Sequence, residues 1–552
     1  MKARWLMCMF VMSGLVLEPA VSPAQVTTGT ILGTVVDPTG AAIPGATVSI
    51  KEITKGTSQQ YTTDANGSYY APFLIPGTYS VTIEKRGFKA ARHDNLILQV
   101  DQKEVVDFSL DLGEVSQTVT VTAAVPLVKS ESAELGEVIT GPAVRGLPLN
   151  GRNFAQLVYL VPGVTTGQQG ENLSGASTFN PRAASDYNAL GSQANTNAWL
   201  VDGIWDNEYT FNTVLVQPSV ESVQEFKVLT GTYSAEFGGG AGVVSVSTRS
   251  GSNALHGEAF EFLRNRVLDA KPYQFTPTPV VKPPFKRNQF GAAVGGPIRR
   301  NKTFFFGDYY GTREIKGLSF VNSVPTNAVR QGDFSDYTDS KGNLIPIYNP
   351  LTTRPNPNFN PAQNISPSNP QFLRDPFQNN MIPANMIDTV GFNVASIYPL
   401  PNAPGNFNNY VTNANRTVTD DGFNVRLDHR IRDNDSFFGR YSFETYKLDA
   451  PQGQSACCLP TPSFAKSKFD LGPFVAGIQN TRLRVQGLAL NETHVFSSTL
   501  VNEFRAGFAR TTPFTTQSDF GRRRRVRSAF RASMSPSLRP GCRTLTSRTS
   551  PG

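Results

Sequence analysis

Between about residue 253 and residue 515 the chain contains seven segments of about ten residues in which apolar and polar side chains alternate. In GFNVRLDHRI, the apolar Phe423, Val425 and Leu427 are separated by single polar residues. Successive side chains of a β-strand point to opposite faces, so this pattern predicts strands with one apolar and one polar face. Six further segments share it: LHGEAFEFLRN, NQFGAAVGGPI, KTFFFGDYYGTRE, SFFGRYSFETY, RLRVQGLALNETHV and TLVNEFRAGFART.

The alternation has the form expected of strands that cross an outer membrane. Such strands place apolar residues outside and polar residues inside, with aromatic residues near their ends. After residue 24 no stretch reaches the roughly 18 apolar residues of a membrane-spanning helix. Contact with a membrane would therefore require a β-barrel. The alternative is a soluble antiparallel sheet.

The first 24 residues have the pattern of an export signal. Lys2 and Arg4 precede a short apolar stretch, residues 5–17, and small residues precede the bond between Ala24 and Gln25. We expect cleavage at that bond, because small residues at the third and first positions before it are typical of signal processing.

The charge of the chain is concentrated at its end. The formal net charge is +8, yet residues 521–552 contain nine arginines and no Lys, Asp or Glu. The remainder carries a net charge of −1, which excludes a polyanion-binding body, and we expect no nucleic-acid partner. Alternation also stops at residue 521. We interpret 521–552 as an aberrant, out-of-frame or truncated end; a true basic tail is the alternative.

Residues 29–112 show short alternating strands separated by turn sequences. Asp-Pro-Thr-Gly at 37–40 and Asp-Ala-Asn-Gly at 64–67 are turn sequences by composition. The density of strands predicts a small β-sandwich. The motifs GTVVDPTGAAIPGATVSI, TDANGSYY and IPGTYSVTI resemble a carboxypeptidase regulatory-like domain, which implies a carbohydrate-binding-like fold.

A strand-like segment, EVSQTVTVTAA, follows at residues 114–124. A strand of this kind can add to the sheet of a partner through its backbone hydrogen bonds. Its centre resembles the TonB box of outer-membrane receptors, which implies that TonB binds Gln117, Thr118, Val119, Thr120, Val121, Thr122 and Ala123. The alternative is that it forms the last strand of the sandwich.

Residues 125–253 contain NAWLVDGIWDNE, VESVQEFKVLTG and a glycine cluster before VVSVSTRSG. The glycines lack the Gly-Lys-Ser/Thr of a phosphate loop. In order, these motifs resemble the plug domain of TonB-dependent receptors, and with the preceding domain and GLPLNGRNFAQL they resemble Oar-like receptors. The plug residues singled out are Asp202, Gly203, Gly238, Gly239, Gly240 and Gly242.

The expected fold is mainly β, with an N-terminal β-sandwich, an α+β plug and an incomplete transmembrane β-barrel. The resemblance implies a barrel of twenty-two strands, whereas about seven are present, so we interpret the chain as an N-terminal fragment. The expected divisions are a signal peptide (1–24), sandwich (27–113), TonB-box-like segment (114–124), plug (125–253), partial barrel (254–520) with a long outer loop (321–415), and the Arg-rich tail (521–552).

The resemblance implies an outer-membrane TonB-dependent receptor or transporter, with the sandwich and plug on the periplasmic side. The partners implied are the TonB complex, outer-membrane lipid and an unidentified ligand, with carbohydrate and peptide both left open. A surface adhesin or scaffold is the alternative. We expect no enzyme, no catalytic residue, no cofactor and no metal, since the four histidines are scattered and the cysteines lack metal-binding spacing.

Overall fold

The structure is a computed structural model that describes residues 28–114, 118–120, 133–167, 185–208, 213–237, 242–271, 282–339, 341–451, 478–497 and 500–517. It has three parts: a sandwich, a plug and a curved antiparallel sheet. The fold class expected from the sequence is confirmed. No helix in these ranges is both long and apolar enough to cross a membrane.

The sandwich has two sheets that enclose an apolar core. Its strands are β1 (Gly29–Val36), β2 (Thr47–Glu52), β3 (Ser58–Thr62), β4 (Ser68–Leu74), β5 (Gly77–Glu84), β6 (Ala90–Leu98), β7 (Lys103–Val105) and β8 (Phe108–Ser109), with β9 (Thr118–Thr120) at one edge. One sheet has the order β4-β1-β7, with β8 also on β1, and the other has the order β3-β2-β5-β6-β9. Inward residues of both sheets are fully buried, such as Ile31 and Val35 of β1 in one sheet and Val48 and Val81 in the other.

The plug is built on a five-stranded mixed sheet of order β10-β17-β18-β13-β14. Its elements are β10 (Leu135–Thr140), α1 (Gly141–Gly146), a 3-10 helix (Phe154–Leu160), β11 (Val164–Thr166), β12 (Tyr187–Ala189), a 3-10 turn (Ala194–Thr196), β13 (Ala198–Val201), β14 (Ile204–Trp205), β15 (Asn207–Glu208), β16 (Thr213–Val214), β17 (Val223–Gly231), a 3-10 turn (Ala235–Phe237) and β18 (Val243–Thr248). Phe154 packs edge-on against Trp199 and Phe226, which fixes the 3-10 helix Phe154–Leu160 on the sheet.

The third part is a seven-stranded antiparallel sheet. In chain order its elements and those of its long loop are β19 (His256–Asn265), β20 (Phe285–Arg299), β21 (Thr303–Asn322), α2 (Asn327–Arg330), β22 (Arg354–Pro355), β23 (Phe372–Leu373), α3 (Thr389–Ile397), β24 (Tyr410–Arg432), β25 (Asp435–Pro451), β26 (Ile478–Ser497) and β27 (Leu500–Gln517), with 3-10 turns at Pro350–Thr352, Gln378–Asn380 and Ala384–Met386. Omitting β22 and β23, consecutive strands pair. The first and last do not pair, so the barrel is not closed in the described part.

The two ends of this sheet differ in the length of their connections. At one end, β20–β21, β24–β25 and β26–β27 are joined by two or three residues, and at the other end the connection from β21 to β24 runs from 323 to 409. In outer-membrane barrels the short turns face the periplasm and the long loops face outward. We call the first end the short-turn rim.

The sandwich is docked at the short-turn rim. Val495, close to the end of β26, is buried in the sandwich core, and Val501 of β27 packs against it. The loop after β2 reaches the plug–barrel junction, where Asn253 binds the Thr54 and Lys55 carbonyl oxygens at 3.0 and 2.6 Å. The sandwich thus contacts both other parts.

Candidate functional site

The contact between the plug and the barrel wall is organised around one buried carboxylate. Asp202 directly follows β13 and lies in the left-handed region, with φ of 52°, and Gly203 comes next with φ of 75°. This Asp-Gly turn reverses the chain into β14, which pairs back on β13. The side chain of Asp202 is only 2% exposed and points at the sheet of the barrel.

Two arginines of the barrel bind this carboxylate. Arg440 of β25 donates from Nε to Asp202 Oδ2 at 2.6 Å, and Arg426 of β24 donates from Nη1 to Oδ1 at 3.2 Å. Thr248, the last residue of β18, donates its backbone N–H to Asp202 Oδ1 at 3.0 Å. The plug is therefore fixed to adjacent barrel strands by a charged pair on each side of one carboxylate.

The surroundings of Asp202 keep it ionised. Burial by itself disfavours the charged form, but Arg440, Arg426 and the Thr248 N–H together outweigh it and hold the pKa of Asp202 below its usual value. Removing one partner of such a buried ion pair is strongly destabilising, because the other charge stays buried without compensation. We call Asp202, Arg426 and Arg440 the latch.

The latch continues into the sandwich. Arg426 also makes a two-pronged contact with Asp428, at 3.0 Å for both Nε and Nη2, and lies 4.1 Å from the ring centre of Phe438. Lys55 of the sandwich lies 3.7 Å from the same Asp428 carboxylate. A single series of ion pairs therefore connects sandwich, barrel and plug.

A second contact joins the plug to β19, β20 and β21. Arg152 forms an ion pair with Glu221 inside the plug, and its guanidinium lies 4.5 and 4.4 Å from the ring centres of Phe260 and Phe262. A cavity of about 110 Å³ lies between these plug residues and the wall. Apolar-out alternation does not hold in β19, because both phenylalanines face the plug.

A third contact is apolar and depends on a glycine. Val216 of the plug packs against a cluster in the wall that includes Leu483 and Val485. A Cβ atom added at Gly487 of β26 would lie 2.7 Å from Val216 Cγ2. Only glycine at this position allows the plug to approach so closely.

The sandwich also binds the plug directly. Lys227 of β17 donates to the carboxylates of Asp101 and Glu134, both at 2.7 Å, and Glu225 accepts from the Val100 N–H. Burial is the largest influence on both acids facing this junction. It raises the pKa of Asp101 to about 6 despite Lys227, and that of Glu225 to about 7 despite its hydrogen bond.

Of the expected TonB-binding residues 117–123, the structure describes Thr118–Thr120. These residues form β9, which pairs in parallel with Ala90–Arg92 of β6 at the sandwich edge. This placement agrees with the alternative reading, a strand of the sandwich. It leaves TonB binding untested, since an edge strand can exchange partners. Residues 117 and 121–123 lie outside the described residues.

The structure describes only some of the other predicted site residues. Gly242 lies at the start of β18, where its carbonyl accepts from the Ala198 N–H at 2.8 Å. Gly238, Gly239, Gly240, Ala24 and Gln25 lie outside the described residues. Of the residues singled out, only Asp202 belongs to the latch. Arg426 and Arg440 were missed as site residues, although inward charges on predicted barrel strands were a signal for them.

Comparison with known families agrees with this architecture. The family profile described as outer membrane beta barrel domain matches residues 247–549, more than half of the chain. That of the TonB-dependent receptor plug domain matches 114–244, and that of the carboxypeptidase regulatory-like domain matches 30–111. The barrel match includes 521–549, within the tail that we interpreted as aberrant, and that interpretation stays a prediction.

One related protein and two solved structures show what this chain is similar to. The TonB-dependent transporter Oar of Myxococcus xanthus is 29% identical over 303 residues, which are 52% of this chain and 27% of that protein. The chain therefore spans about a quarter of the curated relative it matches. Among solved structures, the outer membrane transporter YddB from Escherichia coli has a TM-score of 0.39 at 11% identity over 69% of this chain and 39% of its own.

The siderophore receptor PirA from Acinetobacter baumannii has a TM-score of 0.31 at 14% identity, over 69% of this chain and 44% of its own. Sequence families, order of domains and the plug-in-sheet arrangement all lead to one assignment. The chain belongs to the outer membrane β-barrel domain family, carries a TonB-dependent receptor plug domain and an N-terminal carboxypeptidase regulatory-like domain, and is a homologue of the TonB-dependent transporter Oar.

Proposed function

We propose that this chain takes part in TonB-driven transport of a ligand across the outer membrane, with the latch as the contact that must break for the plug to move. The observation that carries the proposal is Asp202, a plug carboxylate buried between Arg426 and Arg440 of the wall. A permanent plug could be fixed by apolar packing alone. A network of hydrogen-bonded charges favours one defined plug position instead.

The proposed mechanism begins at Gln117–Ala123. TonB would bind this segment by strand addition and pull the chain that leads into β10. Because β10 pairs with β17 along Leu135–Thr140, force applied there acts on the plug sheet. The sheet transmits it to β18 and β13, whose ends hold Thr248 and Asp202.

The proposed orientation places the sandwich and plug in the periplasm. Support comes from the short-turn rim, which the sandwich contacts, and from the long loop 323–409 at the other end. The ligand would enter from the long-loop side. Carbohydrate and peptide both remain candidates, since the contacts in the described loops favour neither.

The test is binding of the periplasmic domain of TonB to the full chain in detergent. Val119→Pro removes a backbone donor and should abolish binding. Val115→Pro, a matched change outside the box, should leave binding intact. Equal binding by all three proteins would contradict the proposed role of Gln117–Ala123 and favour the adhesin or scaffold alternative.

A further inference from the structure

Three metal-binding side chains meet on the outer face of the sheet near the short-turn rim. Asp435 begins β25, and His494 is its directly paired neighbour on β26. Glu492 lies two residues before His494 and therefore on the same face. One donor atom from each of the three lies within 4.8 Å of the other two.

The cluster lies at the edge of the apolar outer surface. Glu492 is paired with Phe437 on one side and Phe504 on the other. Phe504 is 59% exposed, as expected of a side chain that faces lipid. Ionisable groups beside the apolar band of a barrel are expensive, and a functional role is the first hypothesis for them.

The charges of the cluster have no basic partner in the described part of the chain. Asp435 forms an ion pair only with His494, at 3.6 Å from Oδ1 to Nδ1, and Glu492 forms none with lysine or arginine there. The carboxyl groups of Asp435 and Glu492 also lie against each other. Two adjacent carboxyl groups beside an imidazole supply the oxygen and nitrogen ligands that a divalent transition metal accepts.

We propose that Asp435, Glu492 and His494 form a binding site for a divalent transition metal, for which Zn²⁺ is the test ion. Zn²⁺ accepts carboxylate oxygens and imidazole nitrogens at about 2.0–2.2 Å, so two ligands at a tetrahedral angle lie roughly 3.4 Å apart. The separation of 3.6 Å between Asp435 and His494 fits this geometry. Three protein ligands leave a fourth position for water.

The site lies on the same strand pair as the surface on which the sandwich docks, but on the opposite face of the sheet. Val495, next to His494, is buried in the sandwich core, and its N–H donates to the Asn434 carbonyl oxygen at 2.8 Å. A metal bound by both strands would fasten the β25–β26 pair beside this contact. Zn²⁺ should therefore stabilise the short-turn rim as well as bind there.

The test is Zn²⁺ binding by the untagged full chain in detergent, measured by calorimetry. Its cysteines are replaced by serine to remove thiol ligands. His494→Gln and Glu492→Gln should each weaken binding at least tenfold, and Zn²⁺ should raise the melting temperature of the parent but not of either variant. His429→Gln is the matched control, because His429 lies on β24 and binds Thr303 Oγ1 at 2.9 Å instead.

Circular dichroism establishes that each variant is folded. Because two different ligands are changed separately, the test can still be made if one of the two variants fails to fold. Binding by the parent that only His494→Gln and Glu492→Gln weaken supports the site. The proposal is overturned if the parent binds no Zn²⁺, if both variants bind like the parent, or if His429→Gln weakens binding equally.

Discussion

Asp202→Asn is the change that tests the latch most directly. Asparagine keeps the size of the side chain and its ability to accept hydrogen bonds, but it removes the charge that faces Arg440 and Arg426. Removing one member of a buried ion pair costs about 3–5 kcal/mol. The lower value applies here because Arg426 keeps its two-pronged contact with Asp428.

A loss of about 3 kcal/mol corresponds to roughly a 150-fold change in the equilibrium between docked and released plug. Hydrogen exchange of the full chain in detergent measures it. Amides of β13 and β18 should exchange about 150-fold faster in Asp202→Asn, because exchange rates follow the free energy of local opening. Amides inside the sandwich serve as an internal reference.

A matched control and a double-mutant cycle separate the latch from a general loss of stability. Asp421→Asn is the matched control, because Asp421 pairs with Arg313 on the outside of the wall, with side chains 32% and 42% exposed. It should change the free energy of local opening of the plug by less than about 1 kcal/mol. Arg440→Met should have a smaller effect in Asp202→Asn than in the parent. Unchanged exchange in Asp202→Asn, or strictly additive effects, would refute the latch.

Two further predictions concern the packing of the plug. The pKa values of Asp101 and Glu225 are raised from 3.8 and 4.5 to about 6 and 7, so the docked state binds more protons than the separated parts between these values. Docking of the sandwich on the plug should therefore weaken as the pH rises from about 4 to about 7. Glu225→Gln should reduce this pH dependence, measured as the protection of the sandwich–plug junction from protease at each pH. A pH dependence equal to that of the parent would contradict the role of Glu225. Gly487→Ala should speed exchange in the plug, and Val216→Ala should restore it in the double variant; absence of rescue would contradict the close approach.

Much of the barrel sheet could be predicted because its signal is local. Alternation in GFNVRLDHRI places Phe423, Val425 and Leu427 outside and Arg426 and Asp428 inside, as the structure has them. The short turns have equally local causes. Three of the six strand pairings in the seven-stranded sheet follow from these two features, since tight turns join neighbours in an antiparallel sheet.

The same reasoning fails where another part covers the sheet. Phe260 and Phe262 were expected to follow the apolar-out pattern, yet they face inward beneath the guanidinium of Arg152. An aromatic ring is stable both in lipid and against an arginine guanidinium. An aromatic residue in the sequence therefore does not show which face of the sheet it lies on. The contact between Gly487 and Val216 could not be predicted either, because glycine has no side chain whose polarity would indicate a neighbour.

Most strands and their faces, the sandwich and the resemblance to TonB-dependent receptors could be predicted from the residues alone, because each of these signals lies in neighbouring residues. Tertiary structure alone decided which charges meet. Asp202 and Arg440 are 238 residues apart, and their pairing depends on how the plug lies in the sheet. The proposed metal cluster likewise depends on the register of β25 against β26, which sets Asp435 opposite His494. Periodicity is a property of neighbouring residues, whereas ion pairs and metal ligands are selected by the docking of distant ones.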